Sequence, residues 1–278
     1  MTEVTLETAF ALDAADDGLS ARVSPRFSNA PLSMPAERGG PFGGLMAALA
    51  TRAARDGLAI EPPLRSLTVQ YVAAAAFDAP VLFRPHLTRG GRSAAFATVA
   101  ATQGDRHILS ALATFGREFS GPTLTPLRRA PGGPESLPSL PLDPRYGPWF
   151  TPFMEYRFED GPKLFGHNPP DDPTLRVWVR IADGAPLDEA RLCFLLDGVY
   201  PTYWTALPAP PAIAASVDLR IDVLKPITPD TAPDGWVFFE YATRDLGGGW
   251  AVEDGGAFAR GGAPIALVRQ RRKLSAVR

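Results

Sequence analysis

At 278 residues, 45% hydrophobic and 21% charged, the chain has an ordinary globular balance, enough for one large domain or two of about 130 residues each. A formal net charge of -2 gives no general electrostatic footprint for nucleic acid or an anionic membrane. One cysteine, Cys193, excludes an intramolecular disulfide and any cysteine-rich zinc site. The opening MTEVTLETAF is acidic and lacks a basic-then-apolar signal, and no run approaches the roughly 20 apolar residues of a membrane span. A cytoplasmic protein is the expectation.

With 30 prolines and 26 glycines, the chain is punctuated for short strands and turns more than for a helical bundle. In chain order, Leu6–Leu12 and Leu19–Val23 are candidate strands. Pro41–Gly57 (PFGGLMAALATRAARDG) reads as a helix, with Leu45, Ala48 and Leu49 on one stripe and Gly57 as its stop. Leu64–Val72 alternates Leu67, Val69 and Tyr71 against Ser66, Thr68 and Gln70, the pattern of a half-buried strand. Val81–Thr88, Ser93–Gln103 and His107–Phe115 follow, joined by RGGR and GDR turns that suit antiparallel hairpins. The stretch Gly121–Pro148 is dense in proline and lacks periodicity, which predicts an extended linker between domains at 1–120 and 149–278.

The second half repeats the order. Phe153–Phe158 and Thr174–Ile181 are candidate strands. Asp188 can cap a helix expected to run through Leu192, Leu195, Leu196, Val199 and Tyr203. Ser216–Val223, Trp236–Thr243, Trp250–Ala259 and Pro264–Lys273 complete a second set of four strands. Matching LRSLTVQYV to AASVDLRID sets Ser66 over Ser216, and matching FGGLMAAL to LDGVYPTY sets Gly43 over Asp197 at nearly the same offset. Each unit is then a helix followed by an antiparallel meander, with a strand or two before it. A curved sheet buries its concave face by wrapping one helix. That predicts an α+β chain of double hotdog architecture.

The segments GGPFGGLMAALATRAA and LRSLTVQYVAAAAFDAPVLFRPHLTRGGRSAAFATVAATQGDRHILSALATFG resemble the first half of the acyl-CoA thioesterase II family. They share its FGG-type helix start and an R-x-G-x-S turn, here Arg89-Gly90-Gly91-Arg92-Ser93. LLDGVYP and ASVDLRIDVLKPI resemble that family's second helix and the strand after it. The resemblance implies hydrolysis of an acyl-CoA to free acid and CoA, without a cofactor or metal. It also implies a catalytic trio, carried over onto Asp197, Ser216 and Gln270, and a homodimer. Where the family carries Asp-His and an aromatic-rich stretch, this chain reads Asp218-Leu219-Arg220-Ile221.

Thioester hydrolysis needs a water against the carbonyl carbon, a base for its proton and donors for the developing oxyanion. Asp197 in a mostly apolar groove would gain basicity through burial. Ser216 and Gln270 can each donate or accept to orient the water. Plainer readings stand beside these: a turn for Asp197-Gly198, a solvated strand face for Ser216 with Asp218, Arg220 and Asp222, and an exposed edge for Gln270 between two arginines. Arg89 and Arg92 could meet CoA phosphates, as could Arg271, Arg272 and Lys273, although RGGR also reads as a plain hairpin turn. Cys193 beside Phe194 reads as a core residue, and His86, His107 and His167 share no metal-ligand spacing. Two alternatives remain: a non-catalytic acyl-CoA-binding protein, and a hydratase acting on enoyl-thioesters. The hydratase would need a His that neither predicted helix carries.

Overall fold

In the computed structural model, which describes residues 5–127, 132–139, 143–159, 164–210 and 213–275, strands dominate and fall into two compact units. The first comprises Met1–Ser120, Pro141–Met154 and Asp188–Gly198; the second comprises Gly121–Leu140, Glu155–Leu187 and Val199–Arg278.

The first unit opens with a correction. Leu6–Ala9 (α1) is one helical turn, not the expected strand. Its cause is a reciprocal cap: the Thr8 N–H donates to the Thr5 hydroxyl (3.2 Å) and the Thr5 N–H to the Thr8 hydroxyl (3.1 Å). Then come β1 (Asp13–Ala15), β2 (Gly18–Arg22), α2 (Gly43–Gly57), β3 (Leu64–Tyr71), β4 (Pro80–Gly90), β5 (Ala94–Gln103) and β6 (Arg106–Gly116). The strands pair antiparallel in the order β1-β2-β4-β5-β6-β3. Along β3 and β4 the alternation is obeyed, with Leu67, Val69, Val81 and Phe83 buried. The helix α2 is buried over most of its circumference, Leu45 to Ala50 without interruption, as befits a helix enclosed by a sheet.

The second unit holds β7 (Met154–Phe158, whose first residue belongs to the first unit) and β8 (Thr174–Ile181). After the helix α3 (Glu189–Leu196) come β9 (Ile213–Val223), β10 (Val237–Gly247), β11 (Trp250–Phe258) and β12 (Pro264–Ser275). Their order is β9-β12-β11-β10-β8-β7. Read from the other edge, this is the order of the first sheet with six added to every strand number. The duplication expected from the sequence is therefore present in the topology.

Two expectations about the middle of the chain change. The helix predicted through Val199 and Tyr203 stops at Leu196, with Asp197 as its C-cap (φ -102, ψ 2) and the Gly198 N–H bonded to the Leu195 carbonyl at 2.9 Å. Pro201 cannot donate to a helix at that position, and a separate short 3-10 helix begins after it at Thr202–Thr205. The proline-rich stretch, whose residues 128–131 and 140–142 lie outside the described residues, contributes packing where it is described. Leu137 lies on Trp178, Trp236, Phe238 and Phe258, and the Trp178 indole donates to the Gly132 carbonyl at 2.7 Å. That covers the outer face of β8 and β10.

Within the first unit α3 packs on α2. A Cβ on Gly44 would lie 2.5 Å from the Phe194 carbonyl oxygen, so the backbones are in near contact and only glycine fits. Phe194 also meets the rings of Phe10, Phe27 and Phe42 edge-on. Asp188 caps α3 as expected, accepting from the Arg191 N–H at 2.7 Å. At the far end of the helix pair, Arg55 grips Glu189 through Nε and a terminal nitrogen (2.8 and 2.6 Å), and also donates to the carbonyls of Ile60 (2.7 Å) and Pro62 (3.1 Å). Glu189 accepts in addition from the Leu64 N–H at 2.7 Å. The cation sits at the C-terminal end of α2 and the anion in the first turn of α3, where each helix dipole favours it. Glu189→Ala strands three donors at a half-buried position. It is expected to cost roughly 2–4 kcal/mol in urea unfolding, with an unchanged m-value.

Candidate active site

Asp197 owes its place to the end of α3. As C-cap it leaves the helical path, and its carboxylate lies against the first residue of α2: a Cβ on Gly43 would meet Asp197 Oδ2 at 2.5 Å. The same Cβ would also crowd Tyr71, whose hydroxyl donates to the Gly43 carbonyl at 2.9 Å. Asp197 is only 7% exposed. The first turn of α2 has no acidic residue and no side-chain cap of its own, so the carboxylate is the negative group at that helix's positive end. The sequence alignment set Gly43 and Asp197 over one another; in the fold the two are neighbours.

Ser216 and Gln270 lie in the second unit, and a β-bulge brings them together. Gln270 pairs with Leu219 and Arg271 with Asp218, but Arg272 pairs with Ser216, so Val217 is an extra residue in β9. Since side chains alternate, one extra residue shifts the phase. Ser216 leaves the polar face of Asp218, Arg220 and Asp222 and joins the inward face of Leu219, Gln270 and Arg272. There the Gln270 amide donates to the Ser216 hydroxyl at 2.7 Å, and Arg272 donates to the same oxygen at 3.3 Å. The exposed-edge reading of Gln270 is thus overturned. Its inward neighbours along β12, Ala266 and Val268, are buried, whereas Leu267, Arg269, Arg271 and Lys273 face out.

Around this pair is a buried polar network. Arg272, 8% exposed, donates to Gln270 Oε1 (2.6 Å) and through Nε to Glu253 Oε2 (2.6 Å). Glu253, 2% exposed and opposite both Gln270 and Thr243 in the sheet, spends its other oxygen on the Thr202 hydroxyl (2.9 Å) and the Thr202 N–H. The Thr202 and Thr243 hydroxyls are 2.7 Å apart. A buried ion pair survives only when its remaining hydrogen-bonding capacity is met, and here both oxygens of Glu253 are engaged. Arg272 is therefore an internal structural cation, which removes it from the surface cluster that could meet a phosphate. In the first unit the corresponding strands β5 and β6 turn Ala97, Val99, Ala111 and Ala113 inward. Polar groups occupy only one copy of the repeat at these positions.

Other sequence candidates lie elsewhere. Arg89 and Arg92 are exposed at the tip of the β4–β5 hairpin. Arg220 and Asp222 form a surface ion pair at 2.8 Å. Cys193 is fully buried 3.4 Å from the Thr51 hydroxyl, and burial pushes its thiol up to about 12, so it supplies no thiolate near neutrality. A cleft of about 540 Å³ in the second unit is lined by Trp236, Arg157, Arg180, Arg260 and the 134–139 segment. Trp236 directly precedes β10 and Thr243 lies seven residues further along it, roughly 23 Å away on an extended chain, so this cleft is separate from the Gln270 network. Among the described residues no group of three or more His, Cys, Asp or Glu could hold a metal ion, and no helix is long and apolar enough to cross a membrane.

Sequence reasoning missed Glu253, Thr202 and Tyr71, and misjudged Arg272. For the two charged residues a signal existed: counting in twos from Ala266 and Val268 reaches Gln270 and Arg272, and counting from Ala251 and Ala257 reaches Glu253. The steric demand at Gly43 yields a test. Gly43→Ala must displace the Asp197 carboxylate or Tyr71, and is expected to cost about 1–3 kcal/mol by thermal unfolding. In the Asp197→Ala background the same change should cost at least about 1 kcal/mol less, because the obstructing oxygen is gone.

Family models match the chain in two blocks: acyl-CoA thioesterase N-terminal domain over residues 30–116 and acyl-CoA thioesterase C-terminal domain over residues 134–271. Among solved structures, a conserved protein of unknown function with the hot dog fold from Alicyclobacillus acidocaldarius is similar at TM-score 0.85 and 22% identity, covering 100% of both chains. An acyl-CoA thioesterase II from Mycobacterium marinum is similar at TM-score 0.72 and 19% identity, covering 98% of this chain and 99% of that one. The tesB protein of Mycobacterium avium subspecies paratuberculosis gives 0.76 and 18%, over 97% and 98%. A search among curated proteins returns no sequence match. The likenesses in structure establish the double hotdog fold, and the two family blocks, which span most of the described residues, establish that the chain belongs to the acyl-CoA thioesterase family and is a thioester hydrolase.

Proposed function

We propose that the protein hydrolyses acyl-CoA thioesters by direct attack of water, with Asp197 as general base and Ser216 and Gln270 orienting the reacting groups. The observation that carries this reading is the bulge at Val217, which turns Ser216 inward to meet Gln270 at 2.7 Å. A strand that gives up a ladder position and buries two polar side chains needs a return, and a water-orienting site supplies one. In the step, the water oxygen bonds to the acyl carbon and Asp197 takes a water proton. The tetrahedral intermediate then expels the CoA thiolate as the C–S bond breaks. The Asp197 proton is returned to the sulfur, leaving free acid and CoA.

Two features support Asp197 as the base. It is buried, and its Oδ2 lies at the start of α2, beside Gly43. In the second unit the buried carboxylate of Glu253 has both oxygens committed to Arg272 and Thr202. The enoyl-thioester hydratase alternative gains nothing, since neither α2 nor α3 carries a histidine. We further assign the protein to the cytoplasm and to a homodimer, as its family resemblance suggests.

Thiol release from a chain-length series of acyl-CoA substrates tests the assignment. Asp197→Asn is expected to lower kcat by about 100- to 10,000-fold, the usual worth of a positioned base. Ser216→Ala and Gln270→Ala should each lower it by about 10- to 100-fold. Full turnover by Asp197→Asn would remove the base from this residue. Binding without turnover by the wild type would favour a non-catalytic acyl-CoA-binding protein.

A further inference from the structure

Arginine can only donate hydrogen bonds, and that one-sidedness fixes the polarity of the whole cluster. The Arg272 terminal nitrogen lies 2.6 Å from one end of the Gln270 amide, so that end must be the acceptor Oε1. The other end is then the NH2 group, and its 2.7 Å contact with Ser216 is a donation to the serine oxygen. Arg272 donates to that same oxygen at 3.3 Å. With two donors directed at it, the Ser216 hydroxyl is left to offer its own proton outward. A glutamine or serine alone could turn either way. Anchored by Arg272 they cannot.

What anchors Arg272 is Glu253. The carboxylate holds Nε at 2.6 Å and is itself fixed by the Thr202 hydroxyl at 2.9 Å, at the start of the 3-10 helix. Ion-pair side-chain exposures of 9% and 2% leave the two charges little competition from water.

We propose that Arg272 and Glu253 are positioning residues that lock Ser216 and Gln270 into a hydrogen-bond-donor array. The function follows from the polarity. A hydroxyl that donates serves an oxygen acceptor: the thioester carbonyl as it gains negative charge, or a lone pair of the attacking water. It does not serve as a base, which leaves proton removal to a carboxylate. This deepens the functional reading above and rests on it.

The test uses thiol-release kinetics of Arg272→Lys and Glu253→Gln beside Ser216→Ala and Gln270→Ala. A lysine keeps the charge for Glu253 but cannot span both Gln270 and Ser216. Arg272→Lys and Glu253→Gln are expected to lower kcat about tenfold to hundredfold with KM within about twofold. Ser216→Ala should cost less in the Arg272→Lys background than alone, since an unlocked serine has less to lose. Wild-type kcat in Arg272→Lys, with Ser216→Ala and Gln270→Ala impaired, would overturn the positioning role and leave the site standing. Wild-type rates in Ser216→Ala and Gln270→Ala would instead overturn the functional reading and this inference with it. Nitrogen-15 NMR of wild-type arginine side chains gives an independent answer should the variants not fold. A locked Arg272 shows separate, slowly exchanging terminal N–H signals; a single averaged signal would refute the lock.

Discussion

A charge placed inside a protein is tolerable only if every hydrogen-bonding position around it is occupied, and the second unit is built around one such demand. Arg272 and Glu253 are buried opposite-charge partners on adjacent strands, joined at 2.6 Å. Meeting their remaining capacity recruits Thr202 from the 3-10 helix, Gln270 from the same strand and Ser216 from the next. Ser216 can answer only because β9 carries an extra residue at Val217. The bulge, an irregularity in the ladder, is thus the local condition under which a polar residue of an alternating strand can turn toward the interior.

The duplication is a frame in which one copy carries the polar chemistry. Both sheets have the same strand order, yet β5 and β6 bury alanine and valine where β11 and β12 bury Glu253, Gln270 and Arg272. The helix positions differ too. The sequence alignment of Gly43 with Asp197 does not carry over to the helices, since Gly43 opens α2 and Asp197 closes α3. The Asp197 carboxylate nevertheless fills the space that a side chain on Gly43 would need. A carboxylate side chain at position 43 would therefore be a steric and electrostatic conflict: two like charges in one small space.

Much of this was legible in the chain itself. Period-two alternation at Leu64–Val72 and Ser216–Val223, with turn punctuation and the repeated order for the rest, located all eight meander strands within a few residues. Asp197 was singled out through the family resemblance. What failed did so for local reasons. Leu6–Ala9 alternates too little to outweigh a Thr5–Thr8 capping box, and the apolar stripe through Val199 and Tyr203 continues in sequence although Pro201 ends the helix in space. Ser216 was unreadable in principle from alternation, since a bulge shifts the phase without leaving a glycine or proline to mark it. Arg272 was misread because charge suggested solvent, while its place two residues beyond Gln270 on the inward face of β12 argued otherwise.

The proposed mechanism makes one chemical statement: the donors and the carboxylate handle a water, and no side chain forms a bond to the acyl group. Cys193 is buried and protonated, and Ser216 is held as a donor, so neither is presented as a nucleophile. The remaining rival is attack by the Asp197 carboxylate itself through an anhydride. Single-turnover hydrolysis in water enriched in oxygen-18, with enzyme in excess over acyl-CoA, separates direct attack from an anhydride that water opens at the Asp197 carbon. Direct attack predicts one solvent oxygen in the acid from the first turnover and no label in the protein. Unlabelled acid from that first turnover, with oxygen-18 recovered in Asp197, would contradict the account.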